Sequence, residues 1–269
     1  MKKSRWLDEH GEKAEPDARD PDDNKAFFGY EKIPEDEKAH WVMGHFNSIA
    51  SKYDLMNTLL SFGIHYLWKR TALKMMALTP GDRVLDVCGG TGDLAVLAYR
   101  AVGPSGQVIV YDINWAMINA GRNKLNSSIY GKHICFVQGD AEQISFPDRY
   151  FDAAMVGFGI RNVTRMDKGF QEMFRTLKPG GKMMCLEFSK PTAPVFRQLY
   201  DIYSFHIMPL LGEILTGSRK AYTHLPESIR TFASPNELTR LLKQVGFSQV
   251  TTSKLTNGIA IIHMATKDR

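Results

Sequence analysis

Residues 84–93 read VLDVCGGTGD: an apolar run that ends in an acid and breaks at a glycine cluster before helical spacing resumes. Few chain paths satisfy that order of signals. It predicts a strand to Asp86, a tight turn through Gly89, Gly90 and Gly92, and a helix N-terminus behind it. Glycine reaches positive φ without steric cost and lets a ligand lie against the backbone, while unpaired N–H groups at the helix start face that ligand. A nucleotide-like cofactor is the expected occupant.

The turn alone leaves two ligand classes open. Gly90, Gly92 and Ala95 fit the G-x-G-x-x-A spacing of a dinucleotide-binding turn. Asp112 lies 20 residues beyond Gly92, at the end of VIVYDI, where a carboxylate accepts from ribose hydroxyls in either class. A third strand end shifts the balance. ICFVQGDAE runs from apolar alternation into Asp140, Ala141 and Glu142, so three strands finish in acids that border one crevice of a doubly wound sheet. Such a rim suits a ligand rich in donors, with a ribose diol, an adenine amino group and an ammonium, and it repels a pyrophosphate. Asp140 with the Ala141 N–H is suited to an adenine edge. S-adenosylmethionine is therefore favoured over a nicotinamide dinucleotide.

Four further segments carry a resemblance: ASKYDLMNTLLSFGIHYLWK (50–69), FGIRNVTRMDKGF (158–170), LKPGGKMMCLEFSKP (177–191) and YTHLPESIRTF (222–232). With VLDVCGGTGDL they resemble the UbiE/COQ5 family, class I S-adenosylmethionine-dependent C-methyltransferases of menaquinone and ubiquinone biosynthesis, over roughly residues 41–267. The resemblance implies Thr91, Asp112, Asp140 and Ala141 as cofactor contacts, with Asp86, Gly89, Gly90, Gly92, Ile113 and Gly157 completing that site. Gly157 departs from the small polar residue common at its place, which removes any side-chain hydrogen bond from there. The implied substrate is a prenylated quinol, with no metal.

Methyl transfer to a ring carbon needs an electron-rich ring, hence the reduced quinol with its phenolic proton bound or removed. Arg161 is the expected phenolate stabiliser, because its fixed donors suit an oxyanion while its high pKa disqualifies it as a base. Asn162 is expected to orient the ring, with Tyr53 and Asn57 as further polar pocket groups. Candidate bases are His65, Tyr200, His206, Tyr222 and Glu187, and Tyr200, His206 and Tyr222 are also candidate substrate contacts. The bland readings are a salt bridge for Arg161, a helix cap for Asn162 and core packing for the rest. The run YDIYSFHIMPLLGEIL (200–215) reads either as core or as a greasy channel for a prenyl tail.

Residues 1–40 carry twelve acidic against eight basic side chains, which leaves a net +9 on the remainder. Such a tail buries too little to repay its ordering entropy and is expected to be disordered. The basic body suits an anionic membrane surface, whereas the lack of a Lys/Arg run with interleaved aromatics argues against nucleic acid. No apolar run is long enough to span a membrane and the start lacks a secretory signal, so a cytoplasmic protein is expected, in peripheral membrane contact at most. Cys88, Cys135 and Cys185 read as buried reduced thiols. A homodimer is the default from oligomer frequencies.

Helical spacing is expected near 44–76, 92–102, 114–125, 165–177 and 235–245, and strands near 83–87, 107–112, 134–138, 151–156, 181–188, 248–254 and 258–266. The fold class is α/β: a seven-stranded, mostly parallel doubly wound sheet with one antiparallel edge strand, signalled by the Thr256-Asn257-Gly258 turn, and helices on both faces. A single domain, 41–269, is expected, with a helical lid (41–76) and a substrate-pocket insertion (191–234). Alternatives to the quinol enzyme are a methyltransferase of another aromatic, sterol or lipid, and a non-catalytic cofactor-binding subunit.

Overall fold

Asp86, Asp112 and Asp140 share an edge only if their strands are neighbours, and the computed structural model, which describes residues 24–126 and 128–268, places them so. The described chain opens with a hairpin, β1 (Lys25–Phe28) and β2 (Glu31–Pro34), then three helices, α1 (Lys38–Ile49), α2 (Tyr53–Leu60) and α3 (Ile64–Met76). Next come β3 (Arg83–Val87), α4 (Asp93–Val102), β4 (Gln107–Asp112), α5 (Trp115–Asn126) and β5 (Ile134–Gln138). These are followed by β6 (Phe151–Gly157), α6 (Met166–Thr176) and β7 (Leu177–Phe188). Helices α7 (Pro194–Ile202), α8 (Met208–Thr216), α9 (Arg219–Thr231) and α10 (Pro235–Val245) precede the closing strands β8 (Ser248–Leu255) and β9 (Ala260–Thr266).

The large sheet has the order β5-β4-β3-β6-β7-β9-β8. Pairings among β5, β4, β3, β6 and β7 are parallel, while β9 runs antiparallel to both β7 and the edge strand β8. Reversal occurs at the expected turn, where Thr256 and Asn257 take the left-handed φ values 44° and 55°. Neighbouring strand residues face opposite layers, and both layers are covered. Val84, Val108 and Val110 pack beneath α3 and α4 with Trp68, Met76, Leu94 and Ala98, while Leu85, Ile109 and Tyr111 join Phe170, Met173, Leu238 and Leu242 from α6 and α10. That two-sided burial explains why the central strands read as continuous apolar runs rather than alternating ones.

The expected lid divides in two. Helix 44–76 of the sequence reading is three helices, broken at 50–52 and 61–63, and α3 packs on the sheet while its first turns, through Ile64, His65, Trp68 and Lys69, also line the crevice. Ile49, Met56 and Leu60 from α1 and α2 instead pack on Met208, Ala221 and Tyr222, so the N-terminal helices and the 191–234 insertion form one roof.

Within the expected disordered tail, residues 1–23 lie outside the described residues, but 24–40 are structured. Phe28 and Ile33 are buried with Val42, and Phe28 packs on Trp41 at 5.7 Å. Lys38 is buried too, its Nζ donating to the Val163 carbonyl at 3.2 Å. Net charge counted over forty residues concealed these few apolar anchors. The cysteines also divide: Cys185 is buried, Cys88 is half-buried and Cys135 is exposed, because its side chain falls on the outer face of a peripheral strand.

Candidate active site

A cavity of about 440 Å³ lies between the carboxyl ends of the parallel strands and the helical roof. Asp86, Asp112 and Asp140 all line it, on three adjacent strands. The glycine turn is held by its own backbone: the Gly90 N–H donates to Asp112 Oδ2 at 2.9 Å, and the Asn114 N–H donates to Oδ1 at 2.8 Å. Burial still lifts the Asp112 carboxyl to about 6 against those two donors. Gly90 sits at φ 54°, and an added Cβ would come within 3.1 Å of Met117 Cε, so a side chain there would crowd the turn.

Asp86 differs from its neighbours. It is fully buried, and neither carboxylate oxygen has a hydrogen-bond partner among the described residues. Burial pushes its carboxyl up to about 8, with the Lys69 ammonium opposing and Asp112 reinforcing the shift. An unpartnered carboxyl in a cavity wall costs free energy unless a ligand supplies donors or positive charge. Asp140 is partly used already, its Oδ1 accepting from the Glu142 N–H at 2.9 Å.

Thr91, expected as a direct cofactor contact, lines the cavity and also ties the turn to the roof. Its hydroxyl donates to Asp54 Oδ1 on α2 at 2.7 Å. Lys124 binds Asp54 and Asp93 at 2.8 Å each, and Lys69 on α3 binds Asp93 at 2.6 Å. Burial alone would raise the Asp93 carboxyl, but the two ammonium groups hold it well below the usual carboxylate range. Two elements of the roof region thus grip the first turn of α4.

The opposite wall is polar at its centre and apolar around it. Arg161 pairs with the buried Glu187 at 2.8 Å, donates through Nε to Ser228 Oγ at 3.3 Å, and reaches the Phe158 carbonyl. Its Nη2 makes no hydrogen bond among the described residues. Asn162 lines the cavity with its Nδ2 buried and unpartnered. Tyr53, Asn57, Tyr200 and Tyr222 line the same space, and burial lifts the Tyr200 and Tyr222 phenols to about 12. Phe158, Phe188, Phe196, Leu199 and Tyr203 supply the apolar surround.

Most residues proposed from sequence therefore converge, including Gly89, Ile113, Ala141 and Gly157. At Gly157 a Cβ would fall 2.4 Å from Leu94 Cδ1, so a side chain there requires the Leu94 tip to shift. Three do not reach the cavity. Gly92 begins α4 at φ 80° and shapes the turn from behind. His206 is exposed on a π-helical turn, and Glu187 is consumed by Arg161 outside the lining. His65 lines the cavity, but its Nδ1 meets Ser61 Oγ at 2.7 Å and its Nε2 is sealed.

Sequence reasoning missed Asp54, Asn114, His45 and His224. Asp54 stood inside the YDLMN motif beside residues that were chosen, and a carboxylate there was a readable signal. Asn114 bridges β4 to α1, donating to the Met43 carbonyl at 3.1 Å and Asn47 Oδ1 at 3.0 Å. His45 and His224 are brought together from α1 and α9, and nothing local announces them.

The model of the ubiE/COQ5 methyltransferase family matches residues 33–267. A ubiquinone/menaquinone biosynthesis C-methyltransferase UbiE of Pseudomonas paraeruginosa is 45% identical over 240 residues, covering 89% of this chain and 94% of its own. The protein of the same name from Pseudomonas putida strain W619 is 45% identical over 257 residues, 96% of this chain and 97% of its own. Among solved structures, an Aquifex aeolicus SAM-dependent methyltransferase superposes with TM-score 0.55 at 18% identity, over 74% of this chain and 88% of its own. A Thermotoga maritima SAM-dependent methyltransferase gives 0.57 at 20% identity, over 84% and 99%.

Proposed function

The chain belongs to the ubiE/COQ5 methyltransferase family, and from that premise we propose that it transfers the methyl group of S-adenosylmethionine to a ring carbon of a prenylated quinol in menaquinone or ubiquinone biosynthesis. The observation that carries this reading is one cavity lined both by the three strand-end acids and by Arg161, Asn162 and an aromatic surround.

The donor fits the acidic edge. Asp86 is a buried acid in want of positive charge, Asp112 is poised for a ribose diol, and Asp140 with the Ala141 amide offers an acceptor and a donor to an adenine edge. Bound there, S-adenosylmethionine supplies an electrophilic methyl on a sulfonium. On the facing wall, Arg161 is clamped by Glu187, Ser228 and the Phe158 carbonyl, so its free Nη2 is pre-positioned and stabilises a phenolate without reorganising. Asn162, on the same wall, orients the ring. The aromatic surround excludes water and holds the ring flat against the methyl, an alignment worth roughly 7 kcal/mol or more in favourable intramolecular models.

A prenyl tail needs an apolar exit. Phe62 on the α2–α3 turn (78% exposed) and Leu199 on α7 (60%) are exposed apolar side chains; Phe62 packs on Tyr203 at 5.9 Å, and the Tyr203 hydroxyl donates to the Leu60 carbonyl at 2.7 Å. Phe62 and Leu199 also line the cavity, so this exposed rim is continuous with the interior. The tail leaves there, and the rim rests on the membrane that holds it. Among the described residues no helix is long and apolar enough to cross a membrane.

The test is mass spectrometry of purified protein with S-adenosylmethionine and reduced demethylmenaquinol or methoxy-benzoquinol, each against its oxidised form. Methylation of a reduced ring alone is expected. Protein that binds S-adenosylhomocysteine yet methylates neither quinol overturns the substrate assignment.

A further inference from the structure

The quinol reading leaves the phenolic proton without an acceptor. Among the residues named from sequence, Glu187 is spent on Arg161, His206 is outside, His65 has no open nitrogen, and neutral tyrosines with phenols near 12 do not take protons. His45 and His224 remain, and both line the cavity.

Their construction is specific. The ring centroids stand 4.9 Å apart, and Phe28 of the N-terminal hairpin stacks on His224 at 3.9 Å and 22°. Phe46 meets His45 edge-on at 5.1 Å. A Cβ on Gly29 would lie 3.1 Å from His224 Nδ1, so that nitrogen faces the hairpin, while the residue itself lines the cavity. His224 is one helical turn before Ser228, which bonds Arg161 Nε, so imidazole and guanidinium share one wall. Neither imidazole makes a hydrogen bond among the described residues, and neither is sealed from the cavity. Burial, then Arg161, keeps His45 neutral down to about 4; burial, then His45 and Arg161, keeps His224 neutral down to about 3. Both imidazoles are therefore neutral at neutral pH but weak as bases on their own, and it is the phenolate forming beside His224 that supplies the charge to stabilise its imidazolium.

We infer that His224, steadied by Phe28 and His45, is the general base that takes the phenolic proton of the acceptor. This rests on the quinol assignment above. The proton passes from oxygen to imidazole, and the oxygen's electron pair feeds the ring as the ortho carbon bonds the methyl and the methyl–sulfur bond breaks, leaving a neutral thioether. That carbon then loses its hydrogen to water as a proton, and imidazolium returns its own to the oxygen, so one proton is released per turnover. Arg161 holds the phenolate while the imidazolium exists, and the hairpin is part of the active site.

The experiment compares wild type with His224→Gln, His224→Ala and His45→Phe on reduced demethylmenaquinol and on a halogenated quinol whose phenol ionises unaided. S-adenosylhomocysteine binding reports folding in every sample. His224→Gln should lower turnover about 100-fold or more with cofactor affinity unchanged, the usual weight of a general base. Added imidazole should restore part of the His224→Ala activity, the halogenated acceptor should narrow the deficit, and His45→Phe should lose less than His224→Gln. Turnover in His224→Gln within about threefold of wild type overturns the inference, as does a loss insensitive to both imidazole and acceptor acidity. Wild type that binds S-adenosylhomocysteine but methylates neither quinol sinks the quinol assignment itself, a distinguishable failure.

Discussion

The two walls of the cavity differ in how far their polar groups are already satisfied. On the strand-end edge, Asp112 holds two backbone amides and Asp140 one, so the geometry is fixed by main chain before any ligand arrives. On the roof side, Asn162 Nδ2 has no hydrogen-bond partner among the described residues, and Arg161 is held through Nη1 and Nε alone. A ligand that binds the first wall meets a preformed mould, while a ligand that binds the second completes it. Asp86 is the exception on the edge, an unsatisfied group among satisfied ones.

The largest effect should come from the clamp on the roof side. Arg161→Met leaves Glu187 buried without its counter-ion, at a cost of about 3–5 kcal/mol. Adding Glu187→Leu should recover most of the melting temperature, because a matched apolar pair replaces a half-broken ionic one. Turnover in that double variant should stay down about 100- to 1,000-fold, the loss typical of a removed oxyanion donor, with S-adenosylhomocysteine affinity unchanged. Turnover that recovers along with stability would reduce Arg161 to a structural role.

Asp86→Asn tests the exception. The folded protein holds the Asp86 proton up to about 8 against an ordinary 3.8, so folding is favoured at low pH and stability falls as pH rises from about 4 towards 8. The asparagine variant escapes that loss and should melt higher than wild type at pH 8.5 without ligand. It should bind S-adenosylmethionine about 10- to 100-fold more weakly, the weight of a charge-assisted hydrogen bond. Equal melting at pH 8.5 would mean that Asp86 carries no such strain.

These walls also differ in what the chain order reveals. The edge is written in short strings, VLDVCGG, VIVYDI and FVQGDAE, because strand, turn and acid are consecutive and one periodicity fixes all three. The roof joins Phe28, His45, Tyr53, Arg161, Tyr200 and His224 from six separate elements. Arg161 and Tyr53 were found through a family motif; His45 and His224, 179 positions apart, had no motif to carry them. Charge composition hid the hairpin for a related reason: a few apolar anchors, Phe28 and Ile33 against Val42 and Trp41, structure a stretch that an average over forty residues reads as disordered.

Between the walls lies the Asp54–Thr91–Lys124 hook, and cutting it should couple them less tightly. Thr91→Val removes two partly buried hydrogen bonds, one donated to Asp54 and one accepted from Lys124, about 1–2 kcal/mol together, which corresponds to a roughly 5- to 30-fold weaker S-adenosylhomocysteine affinity with turnover at saturation little changed. A drop confined to turnover would place Thr91 in the chemistry instead of the grip.

The smallest expected effect belongs to the rim, and it separates ring from tail. Phe62 is 78% exposed and packs on Tyr203 at 5.9 Å, so Phe62→Ser should leave the fold within about 0.5 kcal/mol, as for other surface changes. A tail-less quinol uses only the two walls, and its methylation should be unchanged. A long-chain quinol presented in phospholipid vesicles must reach the cavity through the rim, and its kcat/KM should fall severalfold, with the variant cosedimenting less with those vesicles. Equal losses on both substrates would place Phe62 inside the acceptor pocket; no loss on either would send the tail out by another path, with the apolar rim then free to face something other than lipid.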